Sequence, residues 1–520
     1  MSQASGSQEM TAAGANQTAG PSVYSGDRHR FLAEIERRAL CAATGFRALG
    51  LKTGDSVALL LRNDFEFFEA SKAAGFAGAY AVPVNWHSTV DEARYVLTDS
   101  GAKVVVIHSD LLELLADAIP AGVHILVVET PPEILTAYRI APGLYSRMAG
   151  KKVWSQWLEQ FSPLNDPSRE ARAAVIYTSG TTGRPKGVRR QPDRTGRTSL
   201  TALAGYGLGA GLATVLMNGP LYHTAPNSYA RLALDRGASM VLQPRFDAEE
   251  LLQLIERHHV THMHMVPTMF VRLLRLPDPV RQRYDISSLR FVAHGAAPCP
   301  LDVKRAMIDW WGPVINEYYG ATEAGLITSI SSSDALRKPG SVGRPLPGVD
   351  IRIVGDDGSE LPAGETGDIY IRSQNIPEFT YIGQDSRRAD ISLGDYITVG
   401  DVGLVDQEGF VFLRDRRRDM IISGGVNIYP AEVEAALHAQ PDIGDCAVFG
   451  IPDPEFGEAV CAYIQPSLAG ASIDTTDLRA RLGQRLSRFK IPGRIVVVVS
   501  LPREDSGKIF KRKLKEPYWA

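Results

Sequence analysis

The residues Tyr177-Thr-Ser-Gly-Thr-Thr-Gly-Arg-Pro-Lys-Gly-Val188 crowd glycines and hydroxyls ahead of a single lysine. They follow Ala173-Ala-Val-Ile176, a short apolar run that reads as a buried strand. A loop of this composition can fold its backbone N–H groups and hydroxyls around a polyanion, with Lys186 adding charge. A nucleotide triphosphate is the natural candidate. From Gly180 the pattern is G-x-x-G-x-x-K-G. It is not a Walker A loop, because a glycine follows the lysine where Ser or Thr would hold magnesium. A flexible surface turn is the bland alternative, and it does not require so specific a mixture of residue types.

A second stretch, Val314-Ile-Asn-Glu-Tyr-Tyr-Gly-Ala-Thr-Glu323, reads as a strand running into a turn that ends in a hydroxyl and a carboxylate. Tyr319 offers a flat ring for stacking a base. Thr322 can hydrogen-bond a phosphate. Glu323 can hold Mg²⁺, which prefers one or two carboxylates plus phosphate oxygens.

These stretches need a frame to hold them. At 520 residues the chain is too long for one core. A formal net charge of -3 gives no electrostatic case for a nucleic-acid partner. Cys41, Cys299, Cys446 and Cys461 lie far apart without metal or disulfide spacing, which fits a reducing cytoplasm. Residues 1–22 read as a disordered tail rather than a signal peptide. Leu200–Met217 is uncharged but broken by glycines, so a buried helix and strand is expected rather than a membrane span.

Apolar spacing predicts helices at Phe31–Leu49, Phe65–Phe76 and Val90–Ser100, with strands at Val57–Leu61, Ala79–Val84 and Lys103–Ile107. This alternation implies a parallel sheet of βαβ units, an α/β fold. Pro131–Trp157 is not placed. Phe246–His258 reads as a helix, and His262 and His264 alternate as on a strand without a third metal ligand. Met265, Val266 and Met269 are expected to line an apolar pocket. Short strands such as Ile351–Val354 and Asp368–Ile371, between Gly-containing turns, predict a β-rich subdomain. Strands near Ala447, Val460 and Arg494, with a helix from Thr476 to Leu486, predict a small α+β domain at the end.

Tyr177–Val188 resembles the phosphate-loop signature of the adenylate-forming (AMP-binding) enzymes, and further matches in the family's order run from about Gly50 onward. The branch most resembled is that of the acyl-CoA synthetases. The resemblance implies ATP, Mg²⁺ and CoA as cofactors and a small carboxylic acid as partner. It implies no nucleic acid and no transmembrane segment, and leaves a homodimer open. It implies a large N-terminal domain, residues 23–415, and a mobile C-terminal lid, 416–520. Thr178, Ser179, Gly180, Thr181, Thr182, Gly183 and Lys186 would cradle phosphates, with Thr178 and Glu323 as metal ligands. Gly295, Ala296, Ala297 and Pro298 would pass over adenine, where His294 stands in place of the family's usual serine. Tyr318, Tyr319, Gly320 and Thr322 would complete the nucleotide site. Asp401 and Arg416 would bind ribose, although Val399 replaces the usual threonine. His223 would flank the carboxylate pocket. Arg418 would lie at the hinge, Gly425 on the pantetheine tunnel, and Lys508 would act as the catalytic lysine. Thr224 stands where amino-acid-activating relatives carry an aspartate, no carrier domain follows Lys508, and the expected pocket residues Met265, Val266 and Met269 are apolar. Together these point to a hydrophobic acid (fatty, aryl or alicyclic) passed to CoA. Transfer to a carrier protein is the alternative. A catalytically silent binding protein should have lost Lys508 or Glu323, and both are present.

Overall fold

The computed structural model describes residues 20–141, 143, 146–170, 172–178, 185–193, 197–209, 213–384, 386–416, 419–423, 426–468, 470–503 and 509–519. The side chains of residues 146, 197–200, 415, 416 and 427 are outside that description. Residues 1–19 of the expected tail are outside it too, and Ser22, expected to close the tail, is already paired in a strand.

Two sheets carry the N-terminal part. The central sheet runs, edge to edge, Arg344–Pro345, Gly325–Ile330, Ile315–Ala321, Phe291–His294, His262–Met265, Thr214–Met217, Ser239–Leu242, Ser22–Ser25, Arg28–Phe31. The strands from Ile315–Ala321 to Ser22–Ser25 are parallel, and antiparallel strands close both edges. Ser22–Ser25 takes its place in the sheet by pairing with Ser239–Leu242. A flanking sheet, in the order Tyr80–Pro83, Ser56–Leu60, Ala102–His108, His124–Val128, Lys152–Val153, is parallel throughout. It also places the segment left open in the sequence, as a helix Pro132–Tyr138, the short strand Lys152–Val153 and a helix Trp154–Leu158.

Strand alternation decides which core each side chain joins. Val215 and Met217 face an apolar cluster shared with Val57, Leu59, Val104 and Val106 of the flanking sheet. The same cluster takes the buried sides of helices Leu32–Ala48, Phe65–Phe76 and Thr224–Asp235. Leu216, Met263, Val292 and Ile315 face the other way, onto helices Ala248–His258, Pro267–Leu274 and Leu301–Trp311. Sheets buried on both faces suit parallel strands, and ligands of such sheets bind at the carboxyl ends of the strands. The expected membrane candidate is helix Arg197–Gly205 and strand Thr214–Met217. Among the described residues no helix is long and apolar enough to cross a membrane.

A five-stranded antiparallel sheet follows, built from Val349–Val354, Gly367–Ser373, Ser392–Leu393, Tyr396–Val405 and Val411–Arg416. Its last strand extends through Arg416, across the boundary expected at 415/416. The small C-terminal domain is a second mixed sheet. There Ile443–Asp453 and Gly457–Pro466 pair along their lengths, and helices Pro430–His438 and Thr475–Leu482 cover the core around Val433, Val448, Val460 and Leu478.

Candidate active site

The phosphate-loop motif is carried by a hairpin. Ile176–Thr178 pairs antiparallel with Lys186–Arg190, so Thr178 stands opposite Lys186. Phe379–Tyr381 adds a third strand on the outer side of Lys186–Arg190. The Tyr177 hydroxyl donates to Asp99 at 2.7 Å, and burial together with that carboxylate holds the phenol above its ordinary value. Gly187 fits this hairpin because a Cβ there would come within 2.8 Å of the Tyr177 ring. Ser179, Gly180, Thr181, Thr182 and Gly183 lie outside the described residues.

Two consecutive arginines fasten the hairpin, and a strand sends them to opposite faces. Arg189 donates to the Gly54 carbonyl at 2.9 Å and lies over the Tyr80 ring, anchoring the flanking sheet. Arg190 turns the other way. It donates to the carbonyls of Thr322 at 2.5 Å and Glu323 at 2.9 Å, and to Pro377 O at 3.3 Å.

The second motif forms the end of Ile315–Ala321, where Ala321 pairs directly with Gly325. Residues 322–324 are therefore a tight turn at the carboxyl edge of the central sheet. The hydroxyls of Thr322 and Thr224 meet at 2.7 Å. Thr224 opens helix Thr224–Asp235, and His223 occupies the N-cap position, without a side-chain capping hydrogen bond, against the Tyr222 ring. A helix start adds unsatisfied N–H groups and a positive dipole end to this corner. Glu323 accepts from the Tyr381 hydroxyl at 3.0 Å, and the Lys186 ammonium lies 5.2 Å from the centre of that ring.

The expected nucleotide residues gather nearby. Tyr319 is buried, and its hydroxyl donates to Asp401 Oδ2 at 2.6 Å. Asp401 stands opposite Arg416 in the strand register, which brings the expected ribose pair together along the backbone. Strand Phe291–His294 delivers the Gly295–Pro298 turn beside Tyr318. A Cβ on Gly295 would sit 2.6 Å from the Tyr318 carbonyl, so only glycine allows this approach. Ala296 holds φ +66, a left-handed conformation uncommon for alanine. Lys508, Gly425 and Arg418 are outside the described residues. Arg503 and Ile509, which flank 504–508, pair as an antiparallel bridge. Arg503 also pairs with Asp445, while Arg275 of the large domain donates to the Gly444 carbonyl of the small one.

Other expectations meet different surroundings. His294 is fully buried, edge-on to Phe270, and its basicity is pushed well down by burial and by Lys304 and His264. Met265 and Met269 are packed in the core with Phe270, Leu273 and Val292, and only Val266 of the expected pocket trio is half-buried. His264 belongs to a polar aromatic group on the opposite face. Its ring nitrogen meets the Tyr318 hydroxyl at 2.7 Å, and burial pushes its pKa down to about 4. Tyr206 and Tyr229 pack against this pair. The sequence names His264 and Tyr318 but not their pairing, and it assigns no role to Arg189, Arg190 or Tyr381. The run Arg189-Arg190 on a strand was the one signal available for the arginines.

Comparison with known proteins shows the family. Residues 12–378 match the model of the AMP-binding enzyme family, and 432–508 match that of the AMP-binding enzyme C-terminal domain. The chain belongs to the AMP-binding enzyme family. A feruloyl-CoA synthase of Amycolatopsis sp is 33% identical over 488 residues, covering 94% of this chain and 93% of the relative. A fatty acid–[acyl-carrier-protein] ligase, ScoC, of Streptomyces coeruleorubidus is 30% identical over 512 residues, covering 96% and 93%. The ATP-bound structure of MatB from Rhodopseudomonas palustris superposes with a TM-score of 0.82 at 30% identity, covering 96% of each chain.

Proposed function

We propose that the protein activates a hydrophobic carboxylic acid (fatty, aryl or alicyclic) to an acyl adenylate and then passes the acyl group to the thiol of CoA. The enzyme is an AMP-forming acid–thiol ligase. A free carboxylate resists attack by a thiol because oxide would have to leave. In the first step a carboxylate oxygen attacks the α-phosphorus of ATP and pyrophosphate departs. In the second, the thiol attacks the acyl carbonyl and AMP departs. Both steps ask chiefly for positioning and for charge aimed at developing phosphate oxygens.

The observation that carries the reading is the meeting of Lys186, Tyr381, Glu323, Thr322 and Thr224 at the carboxyl edge of the central sheet. Lys186 supplies a cation beside the hairpin, and Thr322 a hydroxyl for the α-phosphate. The donors here are oxygens, which suits magnesium. Glu323 and Thr178 would hold that ion, and it would neutralise phosphate charge when bound. Tyr319 and the Gly295–Pro298 turn frame the base, with Asp401 and Arg416 on the ribose. His223 flanks the acid. Lys508 contributes a second cation from the C-terminal domain, residues 416–520, and Gly425 lines the path of the thiol. The meeting of Thr224 with Thr322 leaves a hydroxyl pair where an α-amino group would need a carboxylate, which supports an acid without one. The feruloyl-CoA synthase relative supports an aryl acid in particular.

Acid-dependent ATP–pyrophosphate exchange across a panel of fatty, aryl and amino acids tests this. Exchange is expected with an unsubstituted hydrophobic acid, and a preference for α-amino acids would defeat the reading. The carrier-protein alternative has the ScoC likeness in its favour. Supplying free CoA and a phosphopantetheinylated carrier side by side separates the two acceptors.

A further inference from the structure

We propose that Arg190 is a positioning residue for magnesium and nucleotide: it sets the Thr322–Glu323 turn against the phosphate hairpin. The inference rests on the assignment of Glu323 as metal ligand. Arg190 leaves the strand Lys186–Arg190 on the face opposite Arg189 and reaches three carbonyls, those of Thr322, Glu323 and Pro377. Its guanidinium lies 5.9 Å from the centre of the Phe379 ring, on the neighbouring strand. A planar fork of five donors can bridge several acceptors in a fixed geometry, which a single ammonium cannot.

The consequence follows from what the carbonyls belong to. Thr322 and Glu323 each send a side chain toward the hairpin corner, to Thr224 and Tyr381. Holding their backbone oxygens from behind fixes where the hydroxyl and carboxylate point. The same strand that carries Lys186 thus sets the position of Glu323, so the cation and the carboxylate keep one spacing. A displacement of a binding group by about 1 Å costs on the order of a hundredfold in rate.

The test uses the full chain with Arg190→Met, Arg190→Lys and Glu323→Gln. Two readouts are taken: the magnesium concentration for half-maximal pyrophosphate exchange, and the tightening of ATP binding by magnesium at equilibrium. Arg190→Met is expected to raise the magnesium requirement about tenfold or more and to lose most of that tightening, with the KM for the acid unchanged. Arg190→Lys should fall between it and the parent. If Arg190→Met does not fold, Arg190→Lys decides by the same two readouts. A parent-like magnesium dependence in the Arg190 variants, with Glu323→Gln shifted, overturns the proposal alone. If Glu323→Gln also shows no shift, the metal assignment falls and takes the proposal with it.

Discussion

The Tyr381 hydroxyl donates to Glu323 Oε1 at 3.0 Å while the Lys186 ammonium lies 5.2 Å from the centre of the same ring. One aromatic side chain therefore touches the acidic and the basic halves of the corner. Burial and the Glu323 charge raise the Tyr381 phenol above its ordinary value, so it remains a donor throughout the working range of pH.

Tyr381→Phe removes the hydrogen bond and keeps the ring under Lys186. A bond to a charged acceptor contributes about 1.5–3 kcal/mol, so adenylation should slow by roughly tenfold to a hundredfold. Glu323→Gln, which removes the charge itself, should be slower still and need more magnesium. Pyrophosphate exchange at several magnesium concentrations ranks the two, and a faster Glu323→Gln than Tyr381→Phe would contradict the arrangement.

The two half-reactions should separate by mutation. Lys508→Ala is expected to cut adenylation by about a hundredfold, the usual cost of one transition-state charge contact, while a supplied acyl adenylate and CoA still give thioester. Gly425→Leu should do the reverse by filling the thiol's path. Equal damage to both steps in both variants would speak for one fixed active site.

The hydroxyl of Tyr229 is buried and has no hydrogen-bond partner among the described residues. An unsatisfied buried polar group costs about 1–3 kcal/mol. Tyr229→Phe should therefore raise the unfolding free energy by about 1 kcal/mol in denaturant titration without ligand. A less stable variant would mean that the hydroxyl is satisfied in solution.

Glu66 predicts a pH dependence. Burial, then the charges of Asp64 and Glu69, push it up to about 8, with Arg30 pulling against them. Its folded pKa thus exceeds its unfolded value, so the native state keeps a proton that the unfolded chain releases. That stability is present below pH ~4.5 and is lost as pH rises toward 8. Glu66→Gln cannot lose a proton. Its stability relative to the parent should grow by on the order of 2 kcal/mol between pH 5 and 9. A relative stability that falls over this range would show that the Arg30 ion pair dominates instead.

Much of the fold was legible because it repeats locally. Helix Phe65–Phe76 and the strands around Val57 and Val104 announce themselves through apolar spacing, which depends on near neighbours. The Tyr177–Val188 and Tyr319–Glu323 stretches stood out through residue mixtures, but the strand expected at Ala173–Ile176 runs over Ile176–Thr178 and pairs back on Lys186–Arg190 as a hairpin the sequence does not announce. Contacts between distant segments were not. Thr224 and Thr322 meet because two strands of the central sheet end at one corner, and Arg190 reaches Thr322 there from the separate sheet of the hairpin. Met265 and Met269 were read as pocket lining because an apolar residue after a strand fits either role, and only packing distinguishes a core from a cavity.

The pairing of Ser22–Ser25 with Ser239–Leu242 also has a consequence for synthesis. The flanking sheet draws all its strands from between Ser56 and Val153, so it can close early on the emerging chain. The central sheet must keep one strand waiting until a partner more than two hundred residues later has appeared, as the hydrogen bond from the Ser22 N–H to the Ser239 hydroxyl, 217 residues apart, shows. Closing so long a loop is slow, and in the meantime the local hairpin of Ser22–Ser25 with Arg28–Phe31 keeps its other edge open. In pulse-labelled hydrogen exchange during refolding, amides of Ala102–His108 should be protected before those of Ser22–Ser25. The reverse order would show that the hairpin docks before its sheet is built.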